Sequence, residues 1–244
     1  MIRCRQLRVL AAAFLFCAGC SNLPGRPTAS SVPTDPDNVA DFNLLFRTNC
    51  SGCHGAEGKG GAALSIADPV YLAIADDSIL RKIVTNGIGG TSMPAFARSA
   101  GGTLTENQVD ILVRGLHEHY AKPDSLSGFI PPTYASTENG DSVRGAAVYE
   151  TFCAACHGPS GKGGQKASSI VDGSFLALLT DQELRTLVIV GRPELGAPDW
   201  RNDVPGKPMS PQEISDVVAW LSAQRPQFAG SPYPNAAKPA GELP

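Results

Sequence analysis

Two pentapeptides constrain this chain more than anything else in it: Cys50-Ser51-Gly52-Cys53-His54 and Cys153-Ala154-Ala155-Cys156-His157. The same Cys-x-x-Cys-His pattern stands twice, 103 positions apart counted from Cys50 to Cys153. The chain has 7 cysteines in 244 residues, and outside these pairs they fall at Cys4, Cys17 and Cys20, close to the N-terminus. Paired cysteines often close disulfides, and cysteine with histidine also binds zinc. Each pentapeptide offers three donors with no fourth nearby, one short of a tetrahedral zinc site. A thioredoxin-like redox pair belongs in a βαβ setting, whereas the flanks here read as helix.

The histidine directly after each pair points elsewhere. Two thiols three positions apart add to the two vinyl groups of one haem, and the adjacent imidazole reaches its iron, which makes this the attachment pattern of a c-type haem. Two patterns imply two covalently attached haem c groups. Cys50, Cys53 and His54 are the candidate residues for the first, and Cys153, Cys156 and His157 for the second.

The similarity between the two stretches runs well beyond the motifs. Gly55-Ala56-Glu57-Gly58-Lys59-Gly60-Gly61 matches Gly158-Pro159-Ser160-Gly161-Lys162-Gly163-Gly164, and Asp68-Pro69-Val70-Tyr71-Leu72 matches Asp172-Gly173-Ser174-Phe175-Leu176 after a one-residue insertion. Helical spacing follows in both copies, at Ile79, Leu80, Ile83 and Val84 and at Leu184, Leu187 and Val188. A Thr180/Glu183 capping box opens the second of these helices, and Gly87 and Gly191 stop the pair. Thr105 with Gln108 and Ser210 with Glu213 form two further capping boxes, each before an amphipathic run. Ahead of each motif lies another candidate helix, with Val39, Phe42, Leu45 and Phe46 in one copy and Val143, Ala147, Val148 and Phe152 in the other. No convincing alternating strand appears. The hydrophobic share of 42% and charged share of 18% suit packed globular domains.

The N-terminus follows a different rule. Arg3, Arg5 and Arg8 precede an apolar run from Val9 to Phe16, too short to span a bilayer and ordered as a secretory signal is. With Cys17-Ala18-Gly19-Cys20 it resembles a bacterial lipoprotein signal, in which the thiol of the new N-terminal cysteine is acylated. Cys17 departs from the aliphatic residue usual there, and a plain signal peptide cut nearby is the alternative. The resemblance implies a signal peptide over 1–19, lipidation at Cys20, a tether over 20–38, and an exported protein anchored on the periplasmic side of a bacterial membrane. Losing three arginines and no acidic residue would take the net charge from −3 to −6. No lysine/arginine cluster then remains to track phosphates, which excludes nucleic acid and leaves proteins as the expected partners.

Both copies resemble the small class I cytochrome c fold, over about residues 39–122 and 142–226, with 123–141 as linker and 227–244 as a flexible tail. The resemblance implies a mostly α chain of two tandem helical domains, each around one covalent haem with an early histidine ligand and a late methionine ligand. In the first copy, Gly87-Ile88-Gly89-Gly90-Thr91-Ser92-Met93-Pro94 matches the family's methionine loop and makes Met93 the iron ligand opposite His54. In the second, Gly191 to Pro198 keeps the spacing, but Ala197 stands where methionine is expected. Met209 aligns instead with Leu104, so it is either a ligand of the second iron or an apolar staple against Ile214. An open or water-bound iron is the third alternative. His117 and His119 sit late in a helix, where a cation suits the dipole. Trp200 and Arg201 contact the second haem or serve as a packing residue and a surface charge.

The function implied is electron transfer by a dihaem carrier, relaying single electrons between respiratory redox proteins, with no catalytic residues of its own. Two alternatives stand beside it: an enzyme or sensor of gas or peroxide using an open sixth position on the second haem, and an electron-transfer subunit of a larger dehydrogenase or oxidase.

Overall fold

The computed structural model describes residues 33–126 and 128–226. The signal segment, the lipidation candidate Cys20, most of the tether and the 227–244 tail lie outside the described residues. Residues 33–39 contribute one 3-10 turn, Pro36–Asn38, capped by the Asp35 side chain. Both repeats lie within one unit that begins at Ala40.

Among the described residues the chain is helical. These residues form no strand, and the bridges among them are Ala97 with Leu104 and Arg192 with Ala197. In the first repeat α1 (Phe42–Asn49) leads into a single turn, α2 (Ser51–His54), followed by α3 (Pro69–Ile74), α4 (Asp77–Asn86) and α5 (Glu106–Tyr120). The second repeats the order with α6 (Ser142–Phe152), α7 (Ala154–His157), α8 (Gly173–Ala177), α9 (Asp181–Val190) and α10 (Pro211–Ser222). All three capping boxes form as the sequence suggests, at the starts of α5, α9 and α10. Each pairs two backbone N–H groups that the first helical turn leaves without partners. Asp41, Asp68, Asp76, Asp141 and Asp172 cap the remaining starts of ordinary length.

The first and last helices of each repeat cross at a glycine. On α5, a Cβ at Gly115 would lie 2.1 Å from the Phe42 ring, and on α6 a Cβ at Gly145 would lie 2.1 Å from the Asp216 carbonyl. The missing side chain lets the helices approach, from the last helix in one repeat and from the first in the other. Around these crossings sit the two cores, with Phe42, Leu45, Phe46, Leu112 and Leu116 in one and Tyr149, Phe152, Ile214, Val217 and Leu221 in the other.

Three expected core positions are corrected. Val39 precedes α1 and caps the 3-10 turn, Val143 on α6 is 83% exposed, and Ala147 on the same helix is exposed as well. The inward face of α6 is instead Gly145, Tyr149 and Phe152. Tyr149 stacks on Trp220 with ring centroids 4.4 Å apart and donates its hydroxyl to the Gly158 carbonyl at 2.5 Å, beside the second motif.

The segment between the repeats is laid along the second one. Buried Arg185 donates to the Thr133 carbonyl at 3.0 Å and to the Tyr134 carbonyl at 3.1 Å, and Asp216 accepts from the Asp141 N–H at 2.8 Å.

Candidate haem-binding sites

Each attachment motif lies on a one-turn helix that continues the preceding helix. The N–H of His54 reaches the Cys50 carbonyl at 3.1 Å, and that of His157 reaches Cys153 at 3.0 Å. One helical turn places residues i, i+3 and i+4 side by side, so each pair of thiols and its imidazole share a face. All four thiols are free. Burial, then the neighbouring Cys53, pushes the Cys50 thiol up to about 12; burial, Asp203 and Cys156 do the same to Cys153. A thiol held protonated is a poor partner in disulfide exchange, which proceeds through the thiolate.

The histidines carry the most specific geometry. His54 Nδ1 lies 2.7 Å from the Leu64 carbonyl, and His157 Nδ1 lies 2.9 Å from the Ser168 carbonyl. A carbonyl accepts only, so Nδ1 bears the proton and Nε2 presents its lone pair, the arrangement in which a backbone acceptor fixes tautomer and ring for a metal ligand. Burial lowers the His54 imidazole below its ordinary value, opposed by the Leu64 bond and reinforced by Arg192. That favours the neutral ring that coordinates iron. The donor set therefore fits a covalent haem in both repeats.

Met93 is half-buried in the loop after α4, with its carbonyl accepting from the Ile88 N–H at 3.0 Å. In the second repeat the Ala197 carbonyl accepts from Arg192 at 2.9 Å. Gly87 and Gly191, at φ +66 and +67, press against these loops so closely that a Cβ would come within 2.6 Å of the Met93 carbonyl oxygen and 2.7 Å of the Ala197 one. The two loops share one frame, and Ala197 occupies the place of Met93.

Met209 occupies the place of Leu104. Its N–H donates to the Trp200 carbonyl at 2.9 Å as that of Leu104 does to Phe96 at 2.8 Å, and both side chains are buried. Met209 borders a cavity of about 330 Å³ with Ile130, Pro132, Glu138, Trp200 and others; Cys153, Cys156 and His157 do not line it. Trp200 is buried, and Arg201 pairs with Asp199 at 2.6 Å while lying over the Trp200 ring. His117 is tied at both nitrogens, to Asp77 at 2.7 Å and to the Leu72 carbonyl at 3.1 Å, and His119 stacks on Phe42.

Sequence reasoning passed over the carbonyls of Leu64 and Ser168, although the one-residue insertion makes them equivalent positions. It also passed over Arg192 and Glu194. Arg192 donates to the Gly61 carbonyl at 2.9 Å, and Glu194 accepts from the Ser65 hydroxyl at 2.6 Å. These bonds carry the second repeat's loop onto the segment that follows His54.

Residues 37–114 match the family model "Cytochrome C oxidase, cbb3-type, subunit III", and residues 142–225 match "Cytochrome c". Curated relatives include the cbb3-type cytochrome c oxidase subunit CcoP of Azospirillum sp. (strain B510), 32% identical over 146 residues (55% of this chain, 44% of that one). CcoP of Rubrivivax gelatinosus is 30% identical over 142 residues (58% and 41%). The chain thus spans less than half the length of these relatives. Among solved structures, a chain of the Kuenenia stuttgartiensis reducing HAO-like protein complex aligns with TM-score 0.45 at 15% identity, over 76% of this chain and 96% of that one.

Proposed function

The chain is a tandem of two cytochrome c domains that bind two covalently attached c-type haems, and on that premise we propose that it relays single electrons between redox proteins. Cys50 and Cys53 hold the first haem, with His54 and Met93 on its iron. Cys153, Cys156 and His157 hold the second, whose iron receives no methionine. The haems supply the one-electron chemistry. The protein supplies binding, orientation and the choice of axial ligands, with methionine favouring the reduced iron.

The observation that carries this reading is the paired histidine geometry: two imidazoles, each after a Cys-x-x-Cys, each fixed through Nδ1 by a backbone carbonyl. Potentiometric titration of the purified protein is expected to resolve two one-electron steps. Denatured protein is expected to retain two haems, and Cys50→Ser with Cys53→Ser to retain one. A chain that releases both haems on denaturation would contradict the proposal.

The finer reading places the protein on the periplasmic side of a bacterial membrane, anchored by lipid on Cys20. Among the described residues no helix is long and apolar enough to cross a membrane. The likeness to oxidase subunits supports a role as the electron-transfer subunit of a larger oxidase. Cys20→Ala is expected to move the protein from the membrane fraction to the soluble one; unchanged membrane association would refute the anchor.

Ala197 at the Met93 position favours a second reading, in which the second iron binds a small ligand such as a diatomic gas or peroxide. Turnover of peroxide by the reduced protein, lost with Cys153→Ser and Cys156→Ser, would support it.

A further inference from the structure

The two methionine-type loops share a frame but differ in what they present. The first is Ile88-Gly89-Gly90-Thr91-Ser92-Met93, glycine-rich; the second is Arg192-Pro193-Glu194-Leu195-Gly196-Ala197, braced by a 3-10 turn over Pro193–Leu195. In that second loop Arg192 and Glu194 pair at 2.5 Å, with side chains 17% and 20% exposed. Neither stops at the other. Arg192 also donates to the Gly61 carbonyl, and Glu194 also accepts from Ser65, whose own exposure is 3%. Gly61 and Ser65 bracket Leu64, the residue whose carbonyl holds His54 Nδ1. Gly61 is itself pressed onto the attachment turn, where a Cβ would lie 2.1 Å from the Cys53 carbonyl oxygen.

We infer that Arg192 and Glu194 are positioning residues for the first haem: from the second domain they clamp the Gly61–Ser65 segment that orients His54, so the loop with Ala197 in the methionine position couples the two haem sites. The inference rests on His54 and Met93 being the first haem's axial ligands. Two charges of opposite sign stand at this clamp, on side chains 17% and 20% exposed, where water screens them less than at the open surface. A cation there disfavours the oxidised iron, and an anion favours it. Burial pushes the Glu194 carboxyl up, but Ser65 and Arg192 outweigh it and hold the group below its usual value, in the charged form.

The test is the reduction potential of the methionine-ligated haem, followed through its sulfur-to-iron charge-transfer absorption in the full-length protein. Arg192→Gln is expected to lower that midpoint, Glu194→Gln to raise it, and Arg192→Lys, which keeps the charge, to stay nearer the wild type than Arg192→Gln. A purely structural clamp would move Arg192→Gln and Glu194→Gln in the same direction or leave both unmoved, and either result overturns the inference. If Arg192→Gln does not load both haems, the sign of the Glu194→Gln shift decides alone. A wild-type protein without a methionine-ligated haem would overturn the ligand assignment and this inference with it. A wild type that has one, with unmoved variants, overturns only the inference.

Discussion

The N–H of Arg192 donates to the carbonyl of Ala197 at 2.9 Å, the bond that Ile88 makes to Met93 at 3.0 Å in the first domain. One loop frame therefore presents a thioether in one domain and a methyl group in the other. A methyl group has no lone pair for iron, so the proposed haem sites differ in the ligand that this shared backbone bond presents.

Because the frame is shared, the ligand should be transferable. Ala197→Met is expected to give the second iron a sulfur ligand, a second sulfur-to-iron absorption and a higher midpoint. Met93→Ala should remove the first domain's absorption and lower its midpoint. Absorption spectra of the two variants check both directions.

Met209 fills the Leu104 position, so Met209→Leu should leave the spectra of both haems unchanged. A volume-conserving swap of this kind costs less than about 1.5 kcal/mol, readable by denaturant titration. Loss of a low-spin signal at the second haem would instead identify Met209 as its ligand.

Gly191 turns the chain from α9 into its loop at φ +67, and a Cβ there would lie 2.1 Å from the Pro198 carbonyl oxygen. Gly191→Ala meets both the left-handed backbone and the steric conflict. It is expected to lose more than ~1 kcal/mol, seen as a lowered thermal midpoint, with looser docking of the Arg192 and Glu194 side chains.

Burial, then the neighbouring Asp199, pushes the Asp203 carboxyl up from 3.8 to about 7. As pH rises from 3.8 towards 7 the unfolded chain releases this proton while the folded chain keeps it. Stability therefore falls through that window, and the penalty is complete above 7. Asp203→Asn should be more stable than the wild type at pH 8, by on the order of 1 kcal/mol once solvent screening is allowed for. Near pH 4 the two should converge. Thermal melts at both values check the sign.

What the sequence made legible is what short-range chemistry decides. The attachment motifs, the three capping boxes and the glycine stops each involve residues within a turn or two of one another, and all the caps and stops form as written. The orientation of α6 was less legible. Val143 and Ala147 are spaced for one helical face, but the close crossing at Gly145 against Asp216 turns that face outward and brings Tyr149 in. Least legible was the clamp, because Arg192 and Glu194 reach Gly61 and Ser65 across 131 and 129 positions of chain. No local pattern encodes a partner that distant.

Carbon monoxide binds ferrous haem only where the sixth position is open or its ligand is readily displaced, so it separates the two sites directly. Titrating the fully reduced protein and counting gas bound per chain is the decisive measurement. One equivalent is expected, abolished by substituting Cys153 and Cys156 and unaffected by Met209→Leu. Rapid binding of two equivalents, or of none, would contradict a methionine-ligated first haem beside a second haem without that ligand.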